Sequence, residues 1–308
     1  MSGVMAGIFL LLIMTFSSQA MEAASQAAQV FAKGVMPALL PMMVLCRLLP
    51  CRANHEHSTW RSYAAAVLFS FASGSPASAQ RVRDLWHARI VSPGALEPLL
   101  AACGVMSPMF FTGTLAQWTG LRVGCWVLLL CHWMGALAAA GVVWLLSRKK
   151  RTHHLGSSAK RQALSPSPPA PLRPSLPEAV TGAVTSLLAV CGAMMTFAIV
   201  AGVLRALVAA LCPTWSASHQ PLLAAAWALL EVGGGAAAML QSWSQVPMAL
   251  LCALCSFGGL SIWLQNLLFV NQCIRPAKLL CIRMLHGALS GGLALVIFTL
   301  FPSLMRPF

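Results

Sequence analysis

Charged residues are scarce in this chain. Only 8% of its 308 residues are charged, against about 25% in an ordinary soluble domain, which excludes a normal soluble protein. Acidic residues are the scarcest, with six against 20 basic ones. They come with no spacing of nucleophile and base, so we expect no enzyme. The sequence also lacks a phosphate-binding loop, so it encodes no ATP-driven step.

Motifs for cofactors are missing as well. The eleven cysteines are scattered among apolar residues, which is typical of small buried hydrophobes. Cys252 and Cys255 form one C-x-x-C without a second pair, and "HEH" at 55–57 is a weak metal motif on a short loop. We therefore expect no metal and no cofactor. The net charge of +14 is not interleaved with stacking aromatics, so we expect no nucleic-acid partner either.

Apolar sequence is abundant. Hydrophobic residues make up 58% of the chain, and runs close to the roughly 20 residues that span a bilayer recur along it. The sequence therefore predicts an all-α polytopic membrane protein in a cell membrane. The candidate segments are 4–20, 30–50, 97–118, 122–146, 179–211, 222–240, 247–270 and 277–301, with a shorter one at 62–79.

A basic and proline-rich stretch at 147–177 divides the chain. Its composition is typical of an extended linker. We predict an N-terminal helix or signal-like segment at 1–29, a first repeat at 30–146, this linker, and a second repeat at 178–302. The first segment lacks the positive start of a signal peptide, which favours a retained helix.

The two halves share an order of elements, namely a long helix, a short broken segment and two further helices. Because cytoplasmic loops carry excess Lys and Arg, the linker is expected on the cytoplasmic side. Three crossings and one re-entrant hairpin per half would then invert the second copy. The predicted fold is a pair of inverted-topology repeats, each with three transmembrane helices and one re-entrant hairpin, plus an extra N-terminal helix.

Four breaks interrupt the apolar runs, two in each half. They are "SGSPAS" at 73–78, "GVMSP" at 104–108, "EVGGG" at 231–235 and "SFGGLS" at 256–261. Non-helical backbone at membrane depth must be buried in protein or line a wet cavity. Interruptions paired between halves point to a transport site. The candidate substrate-binding residues are Ser73, Gly74, Ser75, Pro76, Ser107, Pro108, Glu231, Gly234, Gly235, Gly258, Gly259, Ser261, Gln265 and Asn266.

Glu231 is the acidic residue expected within the membrane. An acid at depth is costly and usually functional, so Glu231 could carry a coupling proton or cation, or pair with Arg205. A shallow position at the interface is the alternative. His132 and His286 lie on helices rich in small residues, where packing is the favoured interpretation.

The broken segments resemble a known family. "FGGLSIWLQ" at 257–265 and "CIRMLHGAL" at 281–289 look like the C-terminal signature of the YlbJ-type sporulation integral membrane proteins, which carry nucleoside-recognition (Gate) domains. "SGSPASAQ" at 73–80 resembles the first-hairpin pattern of that family, although Ser75, Ser78 and Gln80 depart from it. "CGVMSPMF" at 103–110 and "EVGGG" resemble two further motifs.

The resemblance implies a core similar to concentrative nucleoside transporters. It implies a permease for a small anionic solute, with dipicolinate (dipicolinic acid) passing during spore formation, in the mother-cell or forespore membrane. Coupling to H⁺ or Na⁺ is compatible with it. The alternatives are a carrier of nucleosides or other small solutes, and a non-transporting scaffold of a sporulation complex. Beyond the bilayer and the anion, the expected partners are a second copy of the chain or sporulation membrane proteins.

Overall fold

The protein is helical throughout the part of the chain that its structure describes. The computed structural model describes residues 3–49, 59–153, 174–243 and 246–305, and these ranges contain no strand. This confirms the all-α prediction. Most of the predicted linker and the "HEH" stretch lie outside the described residues. The helices are α1 (Gly3–Thr15), α2 (Ser17–Val30), α3 (Met36–Leu48), α4 (Thr59–Ser73), α5 (Ala77–His87), α6 (Leu96–Cys103), α7 (Ala116–Thr119), α8 (Arg122–His153), α9 (Leu176–Leu211), α10 (Pro213–Ser218), α11 (Gln220–Leu230), α12 (Val232–Ser242), α13 (Met248–Phe257), α14 (Gly259–Val270) and α15 (Pro276–Leu300).

Five helical stretches are long and apolar enough to cross a membrane. They are Ser17–Leu48, Arg122–Arg148, Leu176–Leu211, Met248–Val270 and Pro276–Leu300. Large apolar side chains such as Leu130, Met284 and Leu295 are more than half exposed on these helices, as is expected where lipid replaces water as the neighbour. The protein is therefore membrane-embedded.

Two predicted boundaries differ from the structure. The first segment divides at Phe16, and a π-helical turn at Phe31–Val35 joins α2 to α3, so the predicted boundary at residue 29 falls inside one continuous helix. The linker was predicted to begin at 147, yet α8 continues to His153. Consecutive basic residues do not by themselves break a helix, because Lys and Arg are good helix formers.

Local sequence explains where several helices begin. Ser175 and Glu178 form a capping box at the start of α9: the Ser175 amide donates to Glu178 Oε2 at 2.7 Å, and the Glu178 amide donates to Ser175 Oγ at 3.5 Å. Pro276 opens α15, at a position where the missing N–H would have no helical partner. These caps set the ends of two long membrane helices.

The order of elements is the same on both sides of the 154–173 gap. Each half has a helix pair with a short break, then a second interrupted pair, then a long helix. In the first half the breaks separate α4 from α5 and α6 from the π-helical turn Phe110–Leu115. In the second half they separate α11 from α12 and α13 from α14. The predicted segment 97–118 is therefore two helical pieces around residues 104–107, as the break at "GVMSP" predicts. The inverted, re-entrant arrangement stays a prediction.

Small residues bring the long helices together. A Cβ built on Gly287 of α15 would lie 2.8 Å from the carbonyl oxygen of Ala253 in α13, and one on Gly135 of α8 would lie 2.1 Å from Ser290 Oγ. In lipid the hydrophobic effect does not drive helices together, so they usually associate by close packing at small residues. Helix α15 is thus clamped between the other two.

Two glycines of α15 test this packing. We expect Gly287→Ala to destabilise the protein by about 1–3 kcal/mol, because the methyl group would collide with the α13 backbone. Gly292→Ala is the matched control in the same helix, since its site is open for 4 Å and alanine favours the helix. Thermal unfolding in detergent should show a lower midpoint for the first variant only. Equal midpoints would contradict the packing.

Gly74 tests the break between α4 and α5. It has φ +71°, and a Cβ there would lie 2.3 Å from the amide nitrogen of Ser107. Gly120 has φ +70° with nothing within 4 Å of a built Cβ. Gly120→Ala should therefore cost only the strain of a left-handed backbone, about 1–2 kcal/mol, without a steric clash. We expect Gly74→Ala to lower the unfolding midpoint well beyond Gly120→Ala. Equal losses would show that backbone conformation, and not contact with Ser107, fixes this glycine.

Candidate functional site

The two breaks of the first half lie against each other. The amide of Ser75 donates to the carbonyl of Val105 at 2.6 Å. Gly74 lies so close to Ser107 that no side chain fits between them. The turn at Gly74–Pro76, which includes a cis Ser75–Pro76 bond, is thereby paired with the non-helical residues 104–107.

The breaks of the second half are arranged in the same way. Gly235 packs on the backbone of Ala228, where a Cβ would approach the amide nitrogen to 2.3 Å. Gly259, with φ +69°, lies near the carbonyls of Ala228 and Leu230. The interrupted pair α13–α14 therefore turns directly beside the junction of α11 and α12.

Arg283 joins the two halves. Its Nε donates to the carbonyl of Phe257 at 2.9 Å, and its Nη1 donates to the carbonyl of Gly104. Phe257 ends α13 and Gly104 follows the end of α6, so both carbonyls are left without helical partners. The carboxyl end of a helix carries a partial negative charge. One guanidinium thus serves two helix ends, one from each half.

A small cavity lies beside Arg283. It is lined by Ser75, Ser78, Ala79, Leu100, Cys103, Gly104, Asn266, Val270, Leu279 and Arg283. The space open to the centre of a water molecule is about 10 Å³, close to what one water requires. Residues of the first turn of α5 thus meet α14 and α15 around one small cavity, whose lining is mainly apolar with a few polar groups.

Four residues that line this cavity have a buried polar atom without a partner within the described chain. These atoms are Arg283 Nη2, Ser75 Oγ, Ser78 Oγ and Asn266 Oδ1. Arg283, Ser78 and Asn266 are at most 3% exposed. A buried polar group without a hydrogen bond costs about 1–3 kcal/mol, and such groups call for an explanation. Here three groups that can donate surround one space.

Arg283 has no carboxylate beside it in the described parts of the chain. The two ion pairs there are Arg83–Asp84 and Lys278–Glu97. Glu231 caps α12, accepting from the amides of Gly233, at 2.9 Å, and Gly234. Its carboxylate is therefore held by local backbone, and no ion pair with Arg205 is formed. Among the described residues, the guanidinium of Arg283 is hydrogen-bonded by backbone carbonyls and by no carboxylate.

The predicted site residues are only partly brought together. Ser75 and Asn266 line the cavity, and Gly258 lies against the guanidinium of Arg283, where a Cβ would be 2.4 Å from Nη2. Ser73, Gly74, Pro76, Ser107, Pro108, Gly235 and Gly259 form the breaks without lining the space. Ser261 Oγ accepts from Gln265 Nε2 at 3.1 Å inside α14. Glu231 and Gly234 belong to the cap of α12.

Arg283 was missed as a candidate, although the sequence marks it. It lies seven residues after Pro276, which is about 10 Å along α15, inside an apolar run. An ionisable residue at such a position is by default a functional candidate. Arg205, which the sequence analysis considered as a partner of Glu231, is exposed, and so is Lys33.

His132 and His286 lie together near the same place. Their ring centroids are 4.7 Å apart. The amide of Met106 donates to His132 Nε2 at 2.8 Å, and His132 Nδ1 lies 2.8 Å from Ser256 Oγ. His286 Nε2 lies 2.9 Å from the carbonyl of His132. Both rings are fully buried.

The described residues of this site do not include a set of metal ligands. Among the described residues, no three His, Cys, Asp or Glu side chains gather closely enough to hold a metal ion. What the site offers instead is a cation, hydroxyl donors and an amide around a space that admits water. Such an arrangement can bind a small anionic group.

No protein-family model, no curated protein sequence and no solved structure matches this chain.

Proposed function

We propose that the protein is a membrane permease for a small anionic solute, with dipicolinate as the leading candidate. One observation carries this proposal. Arg283 is buried within α15, has no carboxylate beside it among the described residues, and lines a small cavity together with Ser75 and Ser78; its Nη2 and both serine hydroxyls are buried without hydrogen-bond partners. An arginine at membrane depth costs on the order of 2.5–3.5 kcal/mol on insertion scales, and such residues usually mark a substrate or ion pathway.

The position of the cavity supports passage and not merely binding. It lies where a break of the first half, at Gly104, meets the carboxyl end of α13 in the second half. Carriers built from two halves bind substrate where interrupted helices of both halves meet, and alternate access by moving one half against the other. An anion at Arg283 would contact both halves at once.

The amino end of α5 adds a second attraction for an anion to the charge of Arg283. Ser78 lies in the first turn of α5, and the amino end of a helix carries a partial positive charge that favours anions. The hydroxyls of Ser75 and Ser78 can donate to the same oxygen atoms as Arg283. A carboxylate suits this geometry because a guanidinium and neighbouring hydroxyls bind its two oxygens together.

The cavity holds about one water in the observed conformation. A solute of the size of dipicolinate therefore needs the turn at Gly74–Pro76 to move away from α14 and α15. We assign the observed state to the closed arrangement of the carrier. The open states would differ in how far Ser75 and Ser78 stand from Arg283.

Transport of dipicolinate should depend on Arg283. We expect Arg283→Met, which keeps the bulk of the side chain, to lower uptake of labelled dipicolinate into liposomes by about tenfold or more, because a charge-assisted hydrogen bond is lost. Arg205→Met is the matched control, since that arginine is exposed on α9. The unfolding midpoint of each variant shows whether it is folded. A folded Arg283→Met protein with wild-type uptake would overturn the assignment.

Ser78 separates binding from folding. Because Ser78 Oγ is buried and makes no hydrogen bond, Ser78→Ala should leave the unfolding midpoint equal or higher. Uptake at low dipicolinate concentration should nevertheless fall, by about fivefold, through loss of one donor to the solute. Ser218→Ala, at an exposed serine bonded within α10, should change neither. Unchanged uptake in Ser78→Ala would remove this hydroxyl from the site.

The same liposomes decide between the alternatives. Uptake of nucleosides without uptake of dipicolinate, unaffected by Arg283→Met, would favour the neutral-solute carrier. Absence of flux for both classes in folded protein, with a protein partner that co-purifies, would favour the scaffold. Either outcome contradicts the anion permease.

A further inference from the structure

The pair His132 and His286 is not used by anion binding as described so far. Both rings are buried, His132 on α8 and His286 on α15. His286 lies three residues after Arg283 on the same helix. Two imidazoles in a membrane interior are unusual, because ionisable residues are rare there and generally face a pathway. Their hydrogen bonds define which nitrogen of each ring carries hydrogen.

His132 is held as a neutral imidazole. A backbone amide can only donate, so the contact from Met106 at 2.8 Å requires a bare lone pair on His132 Nε2. The hydrogen of the ring then lies on Nδ1 and is donated to Ser256 Oγ. A second proton on this ring would break the bond to Met106. His132 is therefore a fixed element of the structure.

His286 is placed differently. A carbonyl can only accept, so Nε2 must carry hydrogen and donate to the carbonyl of His132. Nδ1 is then a bare lone pair, buried and without a hydrogen-bond partner. A proton on Nδ1 would turn the ring into an imidazolium that keeps its bond to the carbonyl of His132.

The charge of Arg283 opposes that proton. Arg283 and His286 are three residues apart on α15, so the two side chains are neighbours on one face of the helix. In a medium of low dielectric two neighbouring cations repel strongly. An anion bound at Arg283 removes this repulsion, because its negative charge offsets or exceeds the positive charge of the guanidinium.

We propose that His286 binds a proton together with the anion at Arg283, so that the carrier moves H⁺ and anion in the same direction. On the side where the anion enters, an O–H bond of a hydronium ion breaks and its proton adds to the lone pair of His286 Nδ1, leaving water. On the other side the N–H bond breaks and the proton returns to water as hydronium when the anion leaves. This proposal rests on the proposed anion permease and names its coupling ion.

The other groups near His286 do not supply a competing site. Among the described residues, the charged or titratable groups that face it are Arg283 on its own helix and His132 on α8. No carboxylate is paired with Arg283 in the described parts of the chain. His132 is occupied by Met106. The proton acceptor that remains is Nδ1 of His286.

Calorimetry on the full-length protein in detergent tests the coupling. The probe is dipicolinate between about pH 6 and pH 8, where carboxylates stay ionised, titrated in two buffers of different ionisation heat. We expect wild type to take up about one proton per anion, with an affinity that falls by up to about tenfold per unit of rising pH. Reciprocal linkage requires both effects together.

The variant His286→Gln isolates the proton. Glutamine can keep a donor to the His132 carbonyl but binds no proton, so the variant should bind dipicolinate without proton uptake and without the pH dependence. His219→Gln is the matched control, because His219 is exposed at the end of α10, and it should behave as wild type. Proton uptake in His286→Gln equal to that of wild type would overturn the proposal.

A second measurement needs no variant. Nitrogen-15 spectra of the histidine-labelled wild-type protein distinguish imidazole from imidazolium, and dipicolinate should convert one buried ring to imidazolium. Binding of dipicolinate without conversion and without proton uptake would overturn the coupling alone and leave the anion site standing. Absence of binding by dipicolinate, acetate and phosphate in folded protein would overturn the anion permease, and this proposal with it.

Discussion

The hydrogen bonds of one guanidinium hold the centre of this protein together. Breaking a helix inside a membrane leaves carbonyls without water to satisfy them, at a cost of several kcal/mol each. Arg283 donates to one such carbonyl from α13 and to another after α6. By donating to both carbonyls, this cation offsets the cost of leaving them without helical partners. The positions of α6, α13 and α15 are therefore mutually dependent, and neither half completes its break alone.

Glycine makes the same arrangement sterically feasible. Gly74 and Gly259 adopt positive φ where backbone of another segment passes within contact distance. Gly258, also at positive φ, ends α13 and leaves room for the guanidinium of Arg283. A side chain at any of these places would push apart the backbones whose carbonyls need the cation. The glycines and Arg283 thus require the same close approach of these backbone segments.

Sequence reasoning located the breaks but not the group that connects them. Paired glycine and proline interruptions in apolar runs predicted the four places where the helices stop, because local backbone chemistry is written in neighbouring residues. Arg283 and its carbonyls are 26 and 179 residues apart, and no local pattern encodes such pairing. Glu231 is the opposite case, because its partners are local: it accepts from the amides of the next two glycines and caps α12. Its expected role within the membrane stays a prediction.

The structural and the proposed chemical roles of Arg283 are linked through its unused nitrogen. A purely structural cation would be expected to use every donor, since an unpaired buried N–H costs free energy. Arg283 instead leaves Nη2 without a partner, and three other residues that line the same cavity, Ser75, Ser78 and Asn266, also have an unpaired polar atom. A bound anion would satisfy these groups and at the same time compete with the carbonyls of Phe257 and Gly104 for the guanidinium. Weakening those two bonds loosens the junction between the halves, which is the junction that a carrier has to open. Binding and opening would then draw on the same side chain, and this explains why a costly charge is kept at this depth.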